Sequence, residues 1–395
     1  MANSDNTGVP LQPLPDTSGL RVAILIPIHN GLSYTQKTLS WLEQSLKLAK
    51  SHPNIIAEVI VIDDGSTDGS GEFIRKQHPH IHLLEGPGNL WWSGAINMGA
   101  RYALNSLQTD WLVLWNNDIK CQDDYFDRLF AHLPHQDPHG LIGSKLYFLD
   151  PPDTLFSMGC LFDPITTRSQ LIGTGQKDSE AFSQPRQVDW VGGMGTVLHR
   201  QVVTRIGFWD DRWFPQYAGD ADYCLRAKQA GFTITVLPDL KIWNDTSSSG
   251  LPHKNRLDLF LRSFIDNKSW FNLRTQVLWV WRFGRSPRGW LNLLRLYAGY
   301  VGGFFFWKIL ELLGIHRKGS EKKSTPDGWL MEWIYLLLGL RLFIYNKVIN
   351  RLPFAILKEA IFCREWNFCT PVWIGGKFAS ANIRSSAPTS CWMVG

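Results

Sequence analysis

The sequence predicts an α/β protein in which a mostly parallel sheet is covered by helices and followed by a helical, aromatic and basic C-terminal extension. Short β-branched runs alternate with helical periodicities between residues 21 and 115, the pattern of strands joined by helical crossovers. Two of these runs end on ligand-type side chains, Asp63-Asp64-Gly65-Ser66 and Asn116-Asn117-Asp118. Open α/β sheets collect ligands at the carboxyl edge of their strands, so both clusters are expected on one edge. A further acidic pair, Asp220-Ala221-Asp222, follows about a hundred residues later.

Residues 21–28 read as the first strand, and the helix expected from Ser33 to about Lys50 carries Leu39, Leu42, Leu46 and Ala49 at helical spacing. A second strand over 57–62 runs into Asp63 and Asp64, and Asp68 or Ser70 is suited to cap a helix reaching about His78. Residues 81–84 make a third strand, Ser93 is placed to cap a helix to Leu107, and 111–115 make a fourth strand ending at Asn116. Beyond Asp118 the strand signals shorten, to 141–148 and 188–199, with a loop rich in Pro, Gly, Ser and Thr between them. A helix over 220–230 then leads through Gly231 into a strand over 233–237. The expected organisation is a flexible segment 1–20, an α/β domain 21–250, a helical membrane-proximal region 251–351 and a partly disordered tail 352–395, with a polar linker over 318–326.

Charge is uneven along the chain. Residues 251–318 hold twelve Lys/Arg against three Asp/Glu, a net of +9 in a protein of net +5, and carry Trp270, Trp279, Trp281, Trp290 and Trp307. Basic residues interleaved with long apolar runs suit an anionic lipid surface better than nucleic acid. The longest uncharged run of the C-terminal part, 296–307, has twelve residues, and 329–345 is interrupted by Glu332 and Arg341. A spanning helix needs roughly 20 mostly apolar residues, so interfacial helices are expected, with a buried helical subdomain as the other reading. The first twenty residues have no basic start and no apolar core, which points to a cytoplasmic protein, peripheral on the inner face of the membrane. Cys121, Cys160, Cys224, Cys363, Cys369 and Cys391 form no C-x-x-C pair, so neither a zinc ribbon nor a redox motif is expected.

No G-x-G-x-x-G follows the first strand and no G-x-x-x-x-G-K-[ST] occurs, which removes the main signatures of dinucleotide oxidoreductases and P-loop ATPases. Taken alone, each acidic cluster also fits a turn with a helix cap. Taken in order, Pro27-Ile28-His29-Asn30, Ile62-Asp63-Asp64-Gly65-Ser66, Gly88-Asn89, Asn97 with Gly99, Trp115-Asn116-Asn117-Asp118, and Gly219-Asp220-Ala221-Asp222 with Arg226 resemble a family 2 glycosyltransferase over roughly residues 20–250. Asn89-Leu90-Trp91-Trp92-Ser93-Gly94 is similar to the rhamnosyltransferase-like branch that builds surface polysaccharides.

The resemblance implies a GT-A (Rossmann-like) fold, a nucleotide-diphosphate sugar donor and inversion at the anomeric carbon. It implies that Asp64 contacts the nucleoside, with Pro27, His29, Asn30, Asn89, Asn97 and Asn117 at the donor. Asp118 takes the metal position of the family's D-x-D motif, with Asn116 in place of the first Asp and Asp245 as a further oxygen ligand for Mg²⁺ or Mn²⁺. Asp220 matches the catalytic general base, and Trp190, Gly192 and Gly193 match the acceptor-side loop. Gly219 stands where many members have Glu, and Asn244-Asp245 where many have a metal- or phosphate-binding His. Asp222 lies four residues before Arg226, the spacing of an ion pair on one helical face, and is expected to be structural. Trp91, Trp92, Trp209 and Trp213 are available to stack on sugars or to fill the core. The expected activity is sugar transfer to a glycan or lipid-linked acceptor hydroxyl. A non-catalytic sugar-nucleotide binder or membrane scaffold, and a sugar nucleotidyltransferase, are the rival readings.

Overall fold

A computed structural model of the chain describes residues 19–246 and 256–312. The expected boundary at Gly250, the linker over 318–326, the apolar run over 329–345, the tail over 352–395 and nearly all of the segment 1–20 lie outside the described residues. The first half is β1 (Leu20–Ile28), α1 (Leu32–Leu48), β2 (Ile55–Asp63), α2 (Ser70–Gln77), β3 (His82–Glu85), α3 (Trp91–Asn105) and β4 (Trp111–Leu114). Next come β5 (Ile119–Cys121), α4 (Tyr125–His132), β6 (Gly140–Phe148), β7 (Leu155–Ser157), β8 (Cys160–Asp163), β9 (Arg168–Leu171), β10 (Arg186–Gln187) and β11 (Thr196–His199). The described elements close with α5 (Arg200–Ile206), α6 (Gly219–Gln229), β12 (Thr233–Asn244), α7 (Leu257–Arg262), α8 (Leu273–Phe283) and α9 (Pro287–Leu312).

The main sheet runs in the order β10-β12-β6-β11-β4-β1-β2-β3. Its β4-β1-β2-β3 half is parallel, β12 and β6 pair in parallel, and β11 joins the halves antiparallel to both neighbours. Side chains of a strand alternate between faces. In β1 this sends Ala23 and Leu25 into a core with Ala95, Ile96 and Ala100 of α3, and Val22, Ile24 and Ile26 into a second core with Leu39 and Leu42 of α1. Both faces are therefore covered, which is why the first two strands read as continuous apolar runs. Register aligns the strand ends: Ile28 lies opposite Asp63, and Asp63 opposite Glu85. The loops after β1, β2, β3 and β4 consequently share one edge of the sheet.

Two local expectations are corrected and a third is extended. The run 188–199 is a strand only over its last four residues, because Gly192, Gly193 and the positive-φ Gly195 turn the preceding chain into a loop. Ser93 sits inside α3, buried, and donates to the Phe214 carbonyl instead of capping the helix. Asp68 does serve a helix terminus, but besides binding Ser70 it accepts from the Leu32 N–H and so ties the start of α1 to the β2–α2 loop. Contacts divide the chain into two units, with the described residues up to Leu293 in one and residues 294–312 of α9 in the other.

Candidate active site

The edge shared by β1 to β4 gathers most of the predicted residues. Asp64, buried, accepts from Gly88 N–H at 2.7 Å on Oδ1, and from Leu90 N–H at 2.7 Å and Trp91 N–H at 3.1 Å on Oδ2. Its carboxylate thus shapes the β3–α3 turn, whose exposed Asn89 lies at the rim. The exposed His29 has Nδ1 2.6 Å from the Asp64 carbonyl oxygen, so Nδ1 donates and Nε2 remains an acceptor. Asn30 sits at φ 57° and accepts on its side-chain oxygen from Thr67 N–H, holding the β1 loop against the β2 loop beside the half-exposed Pro27.

After β4, Asn116 accepts on Oδ1 from the Trp92 indole N–H at 3.1 Å, and Asn117 donates to Thr35 Oγ1 while its carbonyl accepts from Thr38. Asp118 is different, because its Oδ1 is buried and has no hydrogen-bond partner. Burial, with Asp245 close enough to repel, pushes the Asp118 carboxyl up to about 6. The Asp245 N–H donates to the Asp118 carbonyl at 3.3 Å, which brings the two acidic residues together. An orphaned carboxylate oxygen, a second carboxylate and an amide oxygen form an all-oxygen donor set, which fits a hard cation such as Mg²⁺ or Mn²⁺. Asn116 contributes no charge, and the indole already occupies one of its lone pairs.

Asp220 begins α6 next to the Gly192-Gly193 loop. Its Oδ2 accepts from Gly193 N–H at 3.1 Å and its Oδ1 from its own neighbour Ala221 N–H at 2.8 Å. Burial raises its pKa against those two bonds. It lines a small cavity with Cys160, Phe156, Trp190, Gly192 and Met194. Trp92 connects the two clusters, since its indole reaches Asn116 and its ring packs on Gly193, where a Cβ would fall inside the ring. No sequence signal points to this bridging role, because Asn116 and Gly193 meet Trp92 from distant parts of the chain. Gln216 and Tyr217 are also new: Gln216 accepts from Trp92 N–H, and burial raises the Tyr217 phenol, with smaller contributions from the charges of Asp266 and Asp118.

Two predicted residues lie deeper than expected. Asn97 is buried, donating to the Trp209 carbonyl and Asp211 and accepting from Trp209 N–H, so its amide clamps α3 to the loop before α6. Trp190 is buried, with its indole on Ser169. Gly219 has a steric reason, because a side chain there would collide with Ser93 Oγ and the Phe214 carbonyl. Asp222 is 0 % exposed and pairs with Arg226 at 2.9 Å, as its spacing predicts, and also with Arg282 at 2.6 Å.

A half-parallel sheet with oxygen ligands at one edge and a half-buried carboxylate beside them defines the GT-A class of fold. Residues 23–177 match the family described as glycosyl transferase family 2. The match contains Asp64, Asn116 and Asp118 and stops short of Asp220. The chain is similar to an N-acetylglucosaminyl-diphospho-decaprenol L-rhamnosyltransferase of Mycobacterium tuberculosis, 24% identical over 224 residues that cover 52% of this chain and 71% of the relative. It is also 24% identical, over 195 residues, to the low-salt glycan biosynthesis hexosyltransferase Agl10 of Haloferax volcanii, covering 49% of this chain and 60% of that protein. Among solved structures, a mannosyltransferase from Pyrobaculum calidifontis in complex with GDP-Man and Mn²⁺ has a TM-score of 0.44 at 17% identity, covering 91% of both chains. A likeness at that level carries no argument about donor or metal.

Proposed function

We propose that this chain is an inverting, divalent-metal-dependent glycosyltransferase that moves a sugar from a nucleotide-diphosphate donor to a hydroxyl of a glycan or lipid-linked acceptor in surface polysaccharide synthesis. The observation that carries this reading is Asp220, a half-buried carboxylate with a raised pKa, linked through Gly193 and Trp92 to Asn116 of the Asn116–Asp118 cluster. In a single displacement the acceptor oxygen bonds to the anomeric carbon as the bond to the diphosphate oxygen breaks, and Asp220 takes the hydroxyl proton. A raised pKa makes Asp220 a stronger base once ionised, and the Gly193 N–H orients the oxygen that receives the proton.

Asp118, Asp245 and Asn116 would hold the Mg²⁺ or Mn²⁺ ion, whose contribution is charge neutralisation on the departing diphosphate. Asp64 acts on the donor through the backbone turn it fixes, while Pro27, His29, Asn30, Asn89 and Asn117 line the edge where nucleoside and diphosphate lie. Gly192 gives the acceptor close access to backbone beside Asp220, in the same loop as the buried Trp190, while Gly193 makes room for the Trp92 ring. Among the described residues no helix is long and apolar enough to cross a membrane. Residues 256–293 expose Leu257, Leu261, Ile265, Trp281 and Trp290 among basic side chains, which supports peripheral contact with a lipid surface near a lipid-linked acceptor.

Asp220→Asn is expected to abolish transfer, by about 10²-fold or more in kcat, while donor affinity measured by calorimetry stays near that of the parent. Turnover at the parent rate by that variant overturns the base assignment.

A further inference from the structure

The amino edge of the parallel strands carries a second constellation of ligand-type side chains. His78-Pro79-His80-Ile81-His82 places three of the chain's eleven histidines within five residues, between α2 and the start of β3. His82 turns away, with Nε2 on Glu58 and Nδ1 on the Tyr102 hydroxyl. His78 and His80 instead converge on one oxygen of Glu43 in α1, with His78 Nδ1 at 2.6 Å and His80 Nε2 at 3.2 Å. The three ligand atoms lie within 4.8 Å of one another, the one such grouping of three or more His, Cys, Asp or Glu among the described residues.

The surroundings hold this arrangement in place. Ile81 N–H donates to the His78 carbonyl, closing the turn around Pro79, and the His78 ring packs edge-on against Phe73. His78 and Glu43 are largely covered, whereas the His80 side chain is 64% exposed, so the cluster has a protein-facing side and a solvent-facing side. Two imidazoles and one carboxylate with an open position are a donor set that zinc accepts and that Mg²⁺ and Mn²⁺ accept poorly. Zinc bonds of about 2.0–2.1 Å separate tetrahedral ligand atoms by roughly 3.3 Å. The Glu43–His80 spacing already meets that distance, and the Glu43–His78 hydrogen bond needs to open by well under 1 Å.

We propose that Glu43, His78 and His80 form a zinc-class metal site that ties α1 to the α2–β3 turn and is separate from the oxygen-only set at Asp118. On binding, both ring nitrogens that face Glu43 must be free of protons, His78 Nδ1 and His80 Nε2, so each ring carries its proton on the other nitrogen, any second proton leaves to solvent, and Glu43 supplies the charge.

The test uses the full chain, stripped with chelator and titrated near neutral pH with Zn²⁺ alone by calorimetry and thermal melting. One equivalent should bind and raise Tm, and Co²⁺ in its place should give the visible absorption of a four-coordinate centre. His80→Ala and Glu43→Gln should each weaken Zn²⁺ binding by roughly tenfold or more, and Asp118→Asn should leave it unchanged. His80 is exposed, so the metal-free melting of its variant should match the parent. Absence of a zinc-dependent shift in the parent chain overturns the site, as does a full shift retained in both cluster variants. Neither result bears on the sugar-transfer reading, whose groups lie at the opposite edge of the sheet.

Discussion

At the scale of single residues, Asp118 and Asp220 share one physical signature, a carboxyl group that burial makes reluctant to ionise. For Asp118, with a folded-state pKa of about 6 against an ordinary 3.8, the folded chain binds the proton more tightly than the unfolded chain. Metal-free stability contributed by this group therefore falls as pH rises through that window. A cation binds the ionised form, so affinity rises through the same window. Thermal melting should show a small Mn²⁺-induced gain at about pH 5 and a larger one at about pH 7.5. Asp118→Asn should flatten the difference. An equal Mn²⁺ gain at both values, or the same pH response in the variant, counts against Asp118 as the ligand.

At the scale of elements, legibility followed how local each element's cause is. β1 to β4 and α1 to α3 were readable because strands covered on both faces give unbroken apolar runs and their helices give a strong period. β5, β7 and β10 have three residues or fewer and exist through pairing with β12 or β6, a tertiary cause no local pattern carries. The same limit concealed Trp92, whose role depends on Gly193 and Asn116 meeting it from distant parts of the chain. It also concealed α8, which composition had assigned to a membrane-proximal region. Arg282 of α8 donates to Asp222 and to Asp210, both at 2.6 Å, while Arg226 holds the other oxygen of Asp222 and the carbonyls of Ile206 and Phe208. Trp279 and Phe283 pack with Phe162, and Trp279 also meets Phe214. Arg282 thus acts as a positioning residue for the start of α6, two residues from Asp220. Arg282→Ala leaves a fully buried carboxylate one cation short and should cost roughly 3 kcal/mol, with Arg226 limiting the loss. It should lower kcat more than it raises donor KM. Loss of stability alone, with kcat unchanged in the fraction that stays folded, would reduce Arg282 to a structural tie.

At the scale of the whole molecule, charge is distributed unevenly between two parts of the chain. Residues 251–318 hold a net +9, so the rest of the chain is net negative. Within 256–293 the basic side chains Lys268, Arg274, Arg285 and Arg288 accompany apolar residues that face water, Ile265 at 79% and Trp281 at 71% exposure. Exposed apolar side chains of this size beside cations match an anionic headgroup layer, where tryptophan sits at the interface and each basic residue near the surface adds about 1 kcal/mol. Binding of this kind has two separable parts. The electrostatic part is screened by salt, and the apolar part is not. The full chain should sediment with vesicles containing anionic lipid and bind neutral vesicles weakly, and salt should weaken the anionic binding without abolishing it. Trp281→Ser, at an exposed position, should remove part of the salt-resistant fraction without changing the melting temperature. The double variant Arg285→Glu with Arg288→Glu should remove most of the preference for anionic lipid. Equal binding to neutral and anionic vesicles would remove the electrostatic part, and no binding to either would leave these helices without a membrane role and return α8 to its contacts with Asp222 and Asp210 alone.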